Sequence, residues 1–482
     1  GRNLPSMAGW ESFPLDCVTA RRRAGCAAYA QAARAVLGAV RRRAYNARHE
    51  RKFRDGIRND PGNEVSPPRR PRMRAGASAA RCPHGGGSPG NGSLGQGFLN
   101  MAVVPFAPSP KVAAPAPGRT TRVAAALSGG VDSSATACLL RRAGFRVECV
   151  FMRNWRDGQG RGCGDADLDA QDAYSVCASL ELPIRTADFS DAYRECVLHP
   201  FLEEYRNGRT PNPDVLCNEE IKFRRLLQYA LEQMGAERLA TGHYARIRRH
   251  GNEYLLLRAR DRAKDQSYFL HRLGQEELAR LLFPLGDWRK PQVRRLAAEA
   301  GLVTCDKKDS TGICFVGARD FRAFLGRYLP HRPGEIRSLE GHVLGRHDGV
   351  WFYTAGQRRG LGIGGRAGGK GTPWYVVARD TGRNIVYVAQ GREHPLLYSR
   401  RLRAGRVHWV AGAAPPLPCD CQAQLRYRQR AQDCRIAATA GGARDACEVV
   451  FEAPQWAAAP GQSVVFYRDE ICLGGGIIED SD

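Results

Sequence analysis

Two cysteines stand in sequence settings that could support thiol chemistry. Cys217 follows the Pro-rich segment 208–216, and Asp214 precedes it by three residues, close enough for a general acid or base. Cys314 follows a polar, glycine-containing loop with two lysines nearby, and positive charge favours the thiolate. Because neither cysteine belongs to a Cys-x-x-Cys pair, only the fold could bring them together. An ordinary capped helix with an incidental cysteine accounts for the first segment equally well.

A glycine- and serine-rich turn suggests a second kind of chemistry. The string Ser-Gly-Gly-Val-Asp-Ser-Ser at 128–134 lies between a predicted strand at 122–127 and a predicted helix at 135–142. Small residues allow backbone N–H groups to surround a phosphate, and a helix N-terminus adds positive potential. The Gly-Lys-Ser/Thr ending of the common phosphate loop is absent. The turn therefore predicts a nucleotide site of another type, with a plain glycine-rich turn as the alternative.

Alternating strands and helices surround this turn. Further strands are predicted at 145–152, 184–189 and 238–241, and helices at 167–180, 191–206, 218–234 and 291–300. The alternation predicts a parallel, doubly wound α/β sheet with ligands at the carboxyl ends of its strands. Pro211 and Pro213 predict an extended loop outside any helix, followed by a helix with Cys217 or Asn218 near its N-cap. The helix at 291–300 is interpreted as purely structural.

The downstream half of the chain has a different pattern, of short strands and glycine-rich turns. A hairpin is predicted from 374–378 and 384–389, with its turn at 380–382. Arg358 and Arg359 lie on a loop that suits phosphate contacts, or that is simply a solvated basic loop. A small β-barrel is predicted from strands at 422–427, 447–451, 463–467 and 472–478. The predicted division is a leader at 1–118 and three folded parts at 119–316, 317–395 and 396–482.

The positive charge of the chain is concentrated at its start. The net charge is +24, and residues 1–119 hold 20 Lys+Arg against 6 Asp+Glu. An Arg- and Ala-rich, acid-poor leader is typical of an organellar transit peptide, which predicts a mitochondrion or plastid, and otherwise the cytoplasm. A basic tail that touches nucleic acid and a start at Met101 are the alternatives. No apolar run approaches the roughly 20 residues of a membrane span. The 16 scattered cysteines predict a reducing compartment rather than a disulfide framework.

Seven strings, in order over 122–479, resemble the tRNA-specific 2-thiouridylases. This family comprises the bacterial MnmA type and its mitochondrial counterpart, within the PP-loop ATP pyrophosphatase superfamily. The strings are 128–134, 151–155, 208–218, 240–244, 264–270, 309–315 and 356–365. The resemblance implies an α/β doubly wound PP-loop domain, a small central β-rich domain that binds tRNA and a C-terminal β-barrel. They follow the leader, which its composition predicts to be disordered and basic.

The resemblance also implies roles for individual residues. Cys217 matches the nucleophile, Cys314 the cysteine that carries a persulfide, and Asp214 a residue that handles protons. The positions that match the ATP site are Ala126, where relatives have Gly, and Leu127, Ser128, Gly129, Gly130, Val131, Asp132, Ser133, Met152 and Gly242. The positions that match contacts with the target base are Asn212, Pro213 and Asp214, and those that match other tRNA contacts are His243, Lys264, Asp265, Gln266, Arg426, Tyr427 and Gln462.

The implied reaction makes 2-thiouridine in tRNA. ATP, with Mg²⁺, adenylates the C2 oxygen of the wobble uridine, and persulfide sulfur then replaces it, giving AMP and pyrophosphate. The implied partners are tRNAs for Lys, Glu and Gln and a persulfide donor such as a cysteine desulfurase, with no membrane.

Three alternatives remain open. Asp214, Cys217 and Cys314 could hold an iron–sulfur cluster. The chain could be another PP-loop enzyme, such as a GMP synthetase or argininosuccinate synthetase, which needs no persulfide cysteine. It could also be a tRNA-binding relative that has lost catalysis.

Overall fold

The first sheet is parallel and covered by helices, as the alternating pattern predicts. The computed structural model describes residues 121–156, 164–309, 321–364 and 371–482, so the predicted leader, Met101 and Cys314 lie outside the described residues. The sheet has the order β3-β2-β1-β4-β7, built from β1 (Arg122–Leu127), β2 (Arg146–Arg153), β3 (Ile184–Asp188), β4 (Arg238–Ala240) and β7 (Leu281–Leu282). Most of β1 is buried and apolar, as expected for a strand covered on both faces.

The order of the strands creates a crevice beside β1. The chain builds β1, β2 and β3 on one side and then crosses to place β4 on the other side of β1. Ligands of open α/β sheets bind where the order reverses, outside the carboxyl ends of the strands. The turn at 128–134 follows β1 and residues 241–243 follow β4, so both loops lie at this crevice.

Two helices begin earlier than the sequence predicts. Helix α1 (Val131–Arg142) starts four residues before the predicted 135, because Gly130 is extended (φ −103°, ψ 160°) and serves as its N-cap. The helical run at 213–232, called α4, consists of Pro213–Leu216, the π-helical Cys217–Leu226 and Leu227–Glu232. The prediction that Pro213 lies outside the helix is wrong. Proline fits the first helical position, where its missing N–H would have no intrahelical partner.

The other predicted helices agree with the structure to within a few residues, and two short helices, at 275–280 and 321–325, were not predicted. Helix α2 spans Gly164–Ser179, and α3 is a continuous run at 190–206 composed of Ser190–Tyr193, the π-helical Arg194–Leu198 and His199–Arg206. Shorter helices are α5 (Gln275–Arg280), α6 (Lys290–Glu299) and α7 (Phe321–Leu325). None of the helices in the described ranges is long and apolar enough to cross a membrane.

The central β-region forms a sheet of its own. Its order is β10-β11-β8-β9, from β8 (Gly334–Ser338), β9 (Val343–His347), β10 (Trp374–Asp380) and β11 (Ile385–Gln390). The antiparallel pairing of β10 with β11 confirms the predicted hairpin.

The C-terminal strands form a closed barrel, as predicted. They are β12 (Tyr398–Trp409), β13 (Cys419–Gln424), β14 (Gln432–Ala438), β15 (Cys447–Trp456), β16 (Ser463–Arg468) and β17 (Ile471–Ser481), and pairing of β12 with β17 closes the ring. The sequence pattern missed β12 and β14. It also placed a strand at 422–427, whereas β13 ends at Gln424 and the chain then turns.

A hairpin from the first half of the chain joins this barrel. Strands β5 (Ala245–His250) and β6 (Glu253–Arg258) pair with each other, and Leu256 and Leu257 of β6 pair with Cys472 and Ile471 of β17. This connection was not predicted. It joins the barrel to the hairpin that directly follows the loop after β4 at the crevice.

Candidate active site

Serine hydroxyls hold the shape of the turn after β1. The Ser133 hydroxyl accepts the backbone N–H of Ser128 at 3.1 Å and donates to the Gly130 carbonyl at 3.0 Å. The Ser134 hydroxyl donates to the same carbonyl at 2.9 Å. Gly129 has φ +69°, and a Cβ there would lie 2.2 Å from the Asp169 carbonyl oxygen, so only glycine fits.

The loop after β4 packs directly on the start of α1. A Cβ on Gly242 would lie 2.9 Å from the Ser133 nitrogen, which leaves no room for a side chain. Met152, at the end of β2, is half-buried and packs against two apolar clusters. Ala126 is half-buried near the end of β1, while Leu127 and Val131 belong to the core. The predicted ATP-site residues thus surround the crevice beside β1, and their contacts with ATP stay a prediction.

An ion-pair network lies at the start of α1. The Lys290 ammonium donates to both carboxylate oxygens of Asp132 at 2.7 Å and lies 2.8 Å from Asp309. The Tyr244 hydroxyl donates to Asp132 at 2.8 Å. Burial is the main cause that raises the pKa of Tyr244, and the negative charge of Asp132 raises it further. Lys290 is the first residue of the helix at 290–299, so this helix, which the sequence analysis interprets as purely structural, reaches the start of α1.

Asp309 brings three cations together. Its carboxylate pairs with Lys264 at 2.5 Å, with Arg294 at 2.8 Å and with Lys290. Burial alone would raise the pKa of Asp309, but hydrogen bonds and charge from the two lysines hold it far below its usual range. Lys264, predicted as a tRNA contact, therefore has its ammonium group in this network.

A fourth cation supports the turn from its other side. The Lys307 ammonium donates to the Gly129 carbonyl at 2.9 Å and to Asp169 at 2.7 Å, and it also contacts Asp172. Burial lowers the pKa of Lys307, but hydrogen bonds to the two aspartates outweigh this effect and raise it. The lysine therefore stays charged and ties α2 to the turn.

The segment around Cys217 lies at the start of α4. Asn212 is the N-cap, and its side-chain oxygen accepts the Asp214 N–H at 3.1 Å. Burial raises the pKa of the half-buried Asp214 carboxyl, and the charge of Lys222 partly offsets the rise. Cys217 is 1% exposed, one turn inside the helix rather than at the predicted N-cap, and belongs to an apolar cluster.

The loop before Asn212 is held by both downstream β-regions. The Thr210 N–H donates to the Pro460 carbonyl at 2.8 Å, and the Gln462 amide donates to the Thr210 carbonyl at 2.6 Å. From the central sheet, Arg379 donates to the Gly208 carbonyl at 2.7 Å. Burial lowers the pKa of Arg379 to about 10. Gln462, a predicted tRNA contact, thus has its amide on the loop that carries Asn212.

A chain of contacts joins α4 to the barrel at Tyr427. The Asn218 amide donates to the Phe269 carbonyl at 3.2 Å, and the Phe269 and Tyr427 rings lie 4.5 Å apart between centroids. The neighbouring Arg426 donates to the Ala457 carbonyl at 2.7 Å, and burial lowers its pKa. A cavity of about 340 Å³ lies there, lined by Thr354, Ala355, Gly356, Gln357, Arg426, Ala459 and Gln462.

The remaining predicted tRNA contacts have internal partners. His243 bonds through Nδ1 to the Thr241 hydroxyl at 2.7 Å, and burial lowers its pKa well below the usual value. Asp265 is buried and accepts the N–H groups of Ala259 and Ser267. Gln266 accepts the Tyr244 N–H at 2.9 Å. These bonds position the loops after β4 and β6, and contact of these residues with tRNA stays a prediction.

Residues that the sequence analysis missed share one property. Lys290, Asp309 and Lys307 come from segments remote from the turn at 128–134, and only tertiary folding brings them to it. Lys290 could have been recognised because it is the first residue of a helix. The domain is one in which ligands bind at the carboxyl ends of the sheet strands.

A phosphate-loop turn at the crevice of a parallel sheet, followed by two β-regions, defines an α/β nucleotide-binding protein of the PP-loop type. Three family models match consecutively: the tRNA methyl transferase HUP domain over 121–318, the tRNA methyl transferase PRC-barrel domain over 322–390 and the aminomethyltransferase beta-barrel domain over 399–478. The chain belongs to the tRNA-specific 2-thiouridylase family, as the sequence analysis predicts.

The relatives match about three quarters of the chain. The tRNA-specific 2-thiouridylase MnmA of Nitrosococcus oceani is 52% identical over 361 residues, 75% of this chain and 97% of that one. The protein of the same name from Methylococcus capsulatus is 54% identical over 359 residues, 74% of this chain and 96% of that one. A solved U34-tRNA thiolase NcsA from Methanococcus maripaludis, with a 4Fe-4S cluster, is 17% identical, covers 43% of this chain and 65% of that one, and has a TM-score of 0.27. So distant a likeness carries no argument about this chain.

Proposed function

We propose that this protein is a tRNA 2-thiouridylase, a sulfurtransferase that converts a tRNA uridine to 2-thiouridine with ATP. The single observation that carries the proposal is the serine-braced turn at 128–134, which opens α1 at the crevice where nucleotide phosphates bind in such sheets. The membership of the chain in the 2-thiouridylase family supplies the substrate, tRNA.

The residues of the turn would bind the phosphates of ATP. Backbone N–H groups at the start of α1, next to two residues without side chains, Gly129 and Gly130, suit a triphosphate. Carboxylate oxygens are the ligands that Mg²⁺ prefers, and Asp132 is the carboxylate at the turn. Both of its oxygens accept from the Lys290 ammonium, so Mg²⁺ would bind Asp132 by exchange with that group. When bound, Mg²⁺ would neutralise phosphate charge.

In the first step the uridine C2 oxygen attacks the α-phosphorus of ATP. The bond from that phosphorus to the bridging oxygen breaks, pyrophosphate leaves, and C2 then carries an adenylate in place of a poor leaving group. Asn212, Pro213 and Asp214 would receive the base. Burial raises the pKa of Asp214, so this carboxyl accepts a proton more readily than an exposed one, which suits a group that exchanges protons with the base.

In the second step sulfur replaces the activated oxygen. The terminal sulfur of a persulfide on Cys314 attacks C2, and AMP leaves with the former C2 oxygen. Cys217 attacks the Cys314 sulfur, the persulfide S–S bond breaks, and the transferred sulfur stays on C2. The Cys217–Cys314 disulfide that forms needs a thiol reductant to reopen it.

The two β-regions would orient the tRNA. In this proposal 119–316 carries the catalysis, while 317–395 and 396–482 hold the tRNA, with Arg358, Arg359 and Tyr427 exposed enough to contribute. An aromatic side chain such as Tyr427 suits an unstacked base. The persulfide donor is proposed to be a sulfur-relay protein such as a cysteine desulfurase, and the leader is proposed to direct the chain to a mitochondrion or plastid.

An iron–sulfur cluster on Asp214, Cys217 and Cys314 is the competing proposal for the same cysteines. In the described part of the chain no group of three or more His, Cys, Asp or Glu side chains is arranged to hold a metal. Cys314, the required third ligand, lies outside that part. We derive no step through a cluster.

Nucleoside mass spectrometry tests the proposed function. The full chain is incubated with unmodified tRNA, ATP, Mg²⁺ and a persulfide donor, beside Cys314→Ser. We expect 2-thiouridine from the wild type and none from the variant, which still binds tRNA and ATP. A methylated uridine in place of 2-thiouridine, or 2-thiouridine at normal rate from Cys314→Ser, would contradict the proposal. Iron-reconstituted protein, handled without oxygen, forms the parallel arm that tests the cluster.

A further inference from the structure

Lys290 lies between two carboxylates at the start of α1. Its side chain is 10% exposed, whereas those of Asp132 and Asp309 are 33% and 29% exposed. The Lys290 side chain is therefore mostly enclosed by protein, whereas the two carboxylates that hold it are more exposed to solvent. Its backbone N–H donates to the Asp261 carboxylate at 2.9 Å, which anchors this end of α6.

Lys264 reaches the same place from another segment. Its ammonium binds Oδ2 of Asp309 at 2.5 Å, and Lys290 lies 2.8 Å from Oδ1, so one carboxylate holds two lysines. Arg294 also binds Asp309, and its other nitrogen donates to the Cys305 carbonyl. Three cations thus surround Asp309, and one of them reaches across to Asp132 on the turn.

A carboxylate in a phosphate-binding turn presents an electrostatic difficulty. Asp132 occupies the first turn of α1, where backbone N–H groups attract anions, and its negative charge repels phosphate oxygens. A cation fixed beside Asp132 removes that repulsion. Lys290 is such a cation, and Lys264 adds a second ammonium one carboxylate away.

We propose that Lys290 and Lys264 bind the pyrophosphate half of the nucleotide, and that Asp309 holds both ammonium groups at the turn until phosphate oxygens compete for them. This inference rests on the proposed function and adds two phosphate-binding residues to it. It also assigns Lys264 to the nucleotide instead of to the tRNA. The alternative is a bridge of purely structural value between α1, α6 and the segment before residue 310.

Calorimetric titration with inorganic pyrophosphate and Mg²⁺ tests the inference on the full chain. We expect Lys290→Met and Lys264→Met to weaken pyrophosphate binding about ten- to a hundredfold, the range for one hydrogen bond to a charged group. AMP, titrated separately, should bind within about twofold of wild type. Arg295→Met is the matched control, because Arg295 lies on the same helix, loses the same charge and is 72% exposed.

A third variant distinguishes phosphate binding from a structural bridge by the direction in which its pyrophosphate affinity changes. Asp309→Asn removes the competing carboxylate, so pyrophosphate should bind about threefold or more tightly than to wild type. A structural bridge predicts weaker binding in all three variants. If Lys290→Met does not fold, Lys264→Met and Asp309→Asn still decide the question. Unchanged pyrophosphate affinity in the lysine variants, or weaker binding by Asp309→Asn, would overturn the inference.

These titrations need neither tRNA nor a sulfur donor. A wild type that binds pyrophosphate through the two lysines but forms no 2-thiouridine would refute the proposed function and leave this inference standing. A wild type that forms 2-thiouridine while the lysine variants bind pyrophosphate normally would do the reverse.

Discussion

A single methyl group on Gly461 should disturb the loop that carries Asn212. Gly461 has φ +95°, and a Cβ there would lie 2.7 Å from the Thr210 nitrogen and 2.9 Å from its carbonyl carbon. Both atoms are backbone, so neither can rotate away. Gly461→Ala must therefore move the barrel away from the loop and break the bond from the Thr210 N–H to the Pro460 carbonyl.

The magnitude divides into two parts. A positive φ costs an L-residue about 1–2 kcal/mol, and overpacking a tight contact adds about 1–3 kcal/mol. Gly461→Ala should therefore lower the free energy of unfolding by about 2–5 kcal/mol. Gly412→Ala is the matched control, because Gly412 has φ +82° with nothing within 4 Å of the added Cβ. It should lose only the first part, about 1–2 kcal/mol.

The assay combines urea unfolding with turnover. Unfolding followed by tryptophan fluorescence gives the two losses of stability, and 2-thiouridine formation below the unfolding range gives the rate. Gly461→Ala should also slow thiolation, since the loop holds Asn212 and Asp214, while Gly412→Ala should not. If the two variants are equally stable and equally active, the close approach of the barrel to the loop has no energetic consequence and the reasoning fails.

Four further predictions concern the nucleotide, the pH dependence and the tRNA. Asp132→Ala should cut AMP release at least tenfold, a loss of about 1.4 kcal/mol or more, and undiminished release would remove the ATP assignment. Burial raises the pKa of Asp214, so its charged form is disfavoured in the fold. Asp214→Asn should then be more stable than wild type at pH 7, with the difference vanishing below about pH 3.9 in urea unfolding; a constant difference would contradict this. Burial lowers the pKa of His271, so stability should fall as pH drops below about 6.5, and less so in His271→Leu. Tyr427→Ala should weaken tRNA binding by about 1–3 kcal/mol in filter binding, with ATP affinity unchanged as the control.

Features set by neighbouring residues were predictable from the sequence. The turn at 128–134, the alternation around it and the hairpin of β10 and β11 each depend on short-range pattern, and the structure confirms them. The start of α4 was not predicted, because proline both ends helices and begins them, and only the Asn212 cap decides between the two.

Features that depend on distant pairing were out of reach. Strand β5 reads Ala-Arg-Ile-Arg-Arg-His, which carries too few apolar residues to predict a strand, and its hairpin gains its place from pairing with β17. The contact between Asp132 and Lys290 joins residues 158 positions apart in the chain. No local periodicity could indicate it.

The last strand of the chain affects how the protein folds during its synthesis. Strand β17 pairs with β12, β16 and β6, so it both closes the barrel and covers β6. On the ribosome, β6 emerges more than 200 residues before its partner and exposes unpaired backbone groups throughout that interval. The arginines of β5 and the charged ends of β6 are the kind of residues that keep such an edge from joining another chain. A nascent chain stalled before residue 471 would be left with that edge uncovered.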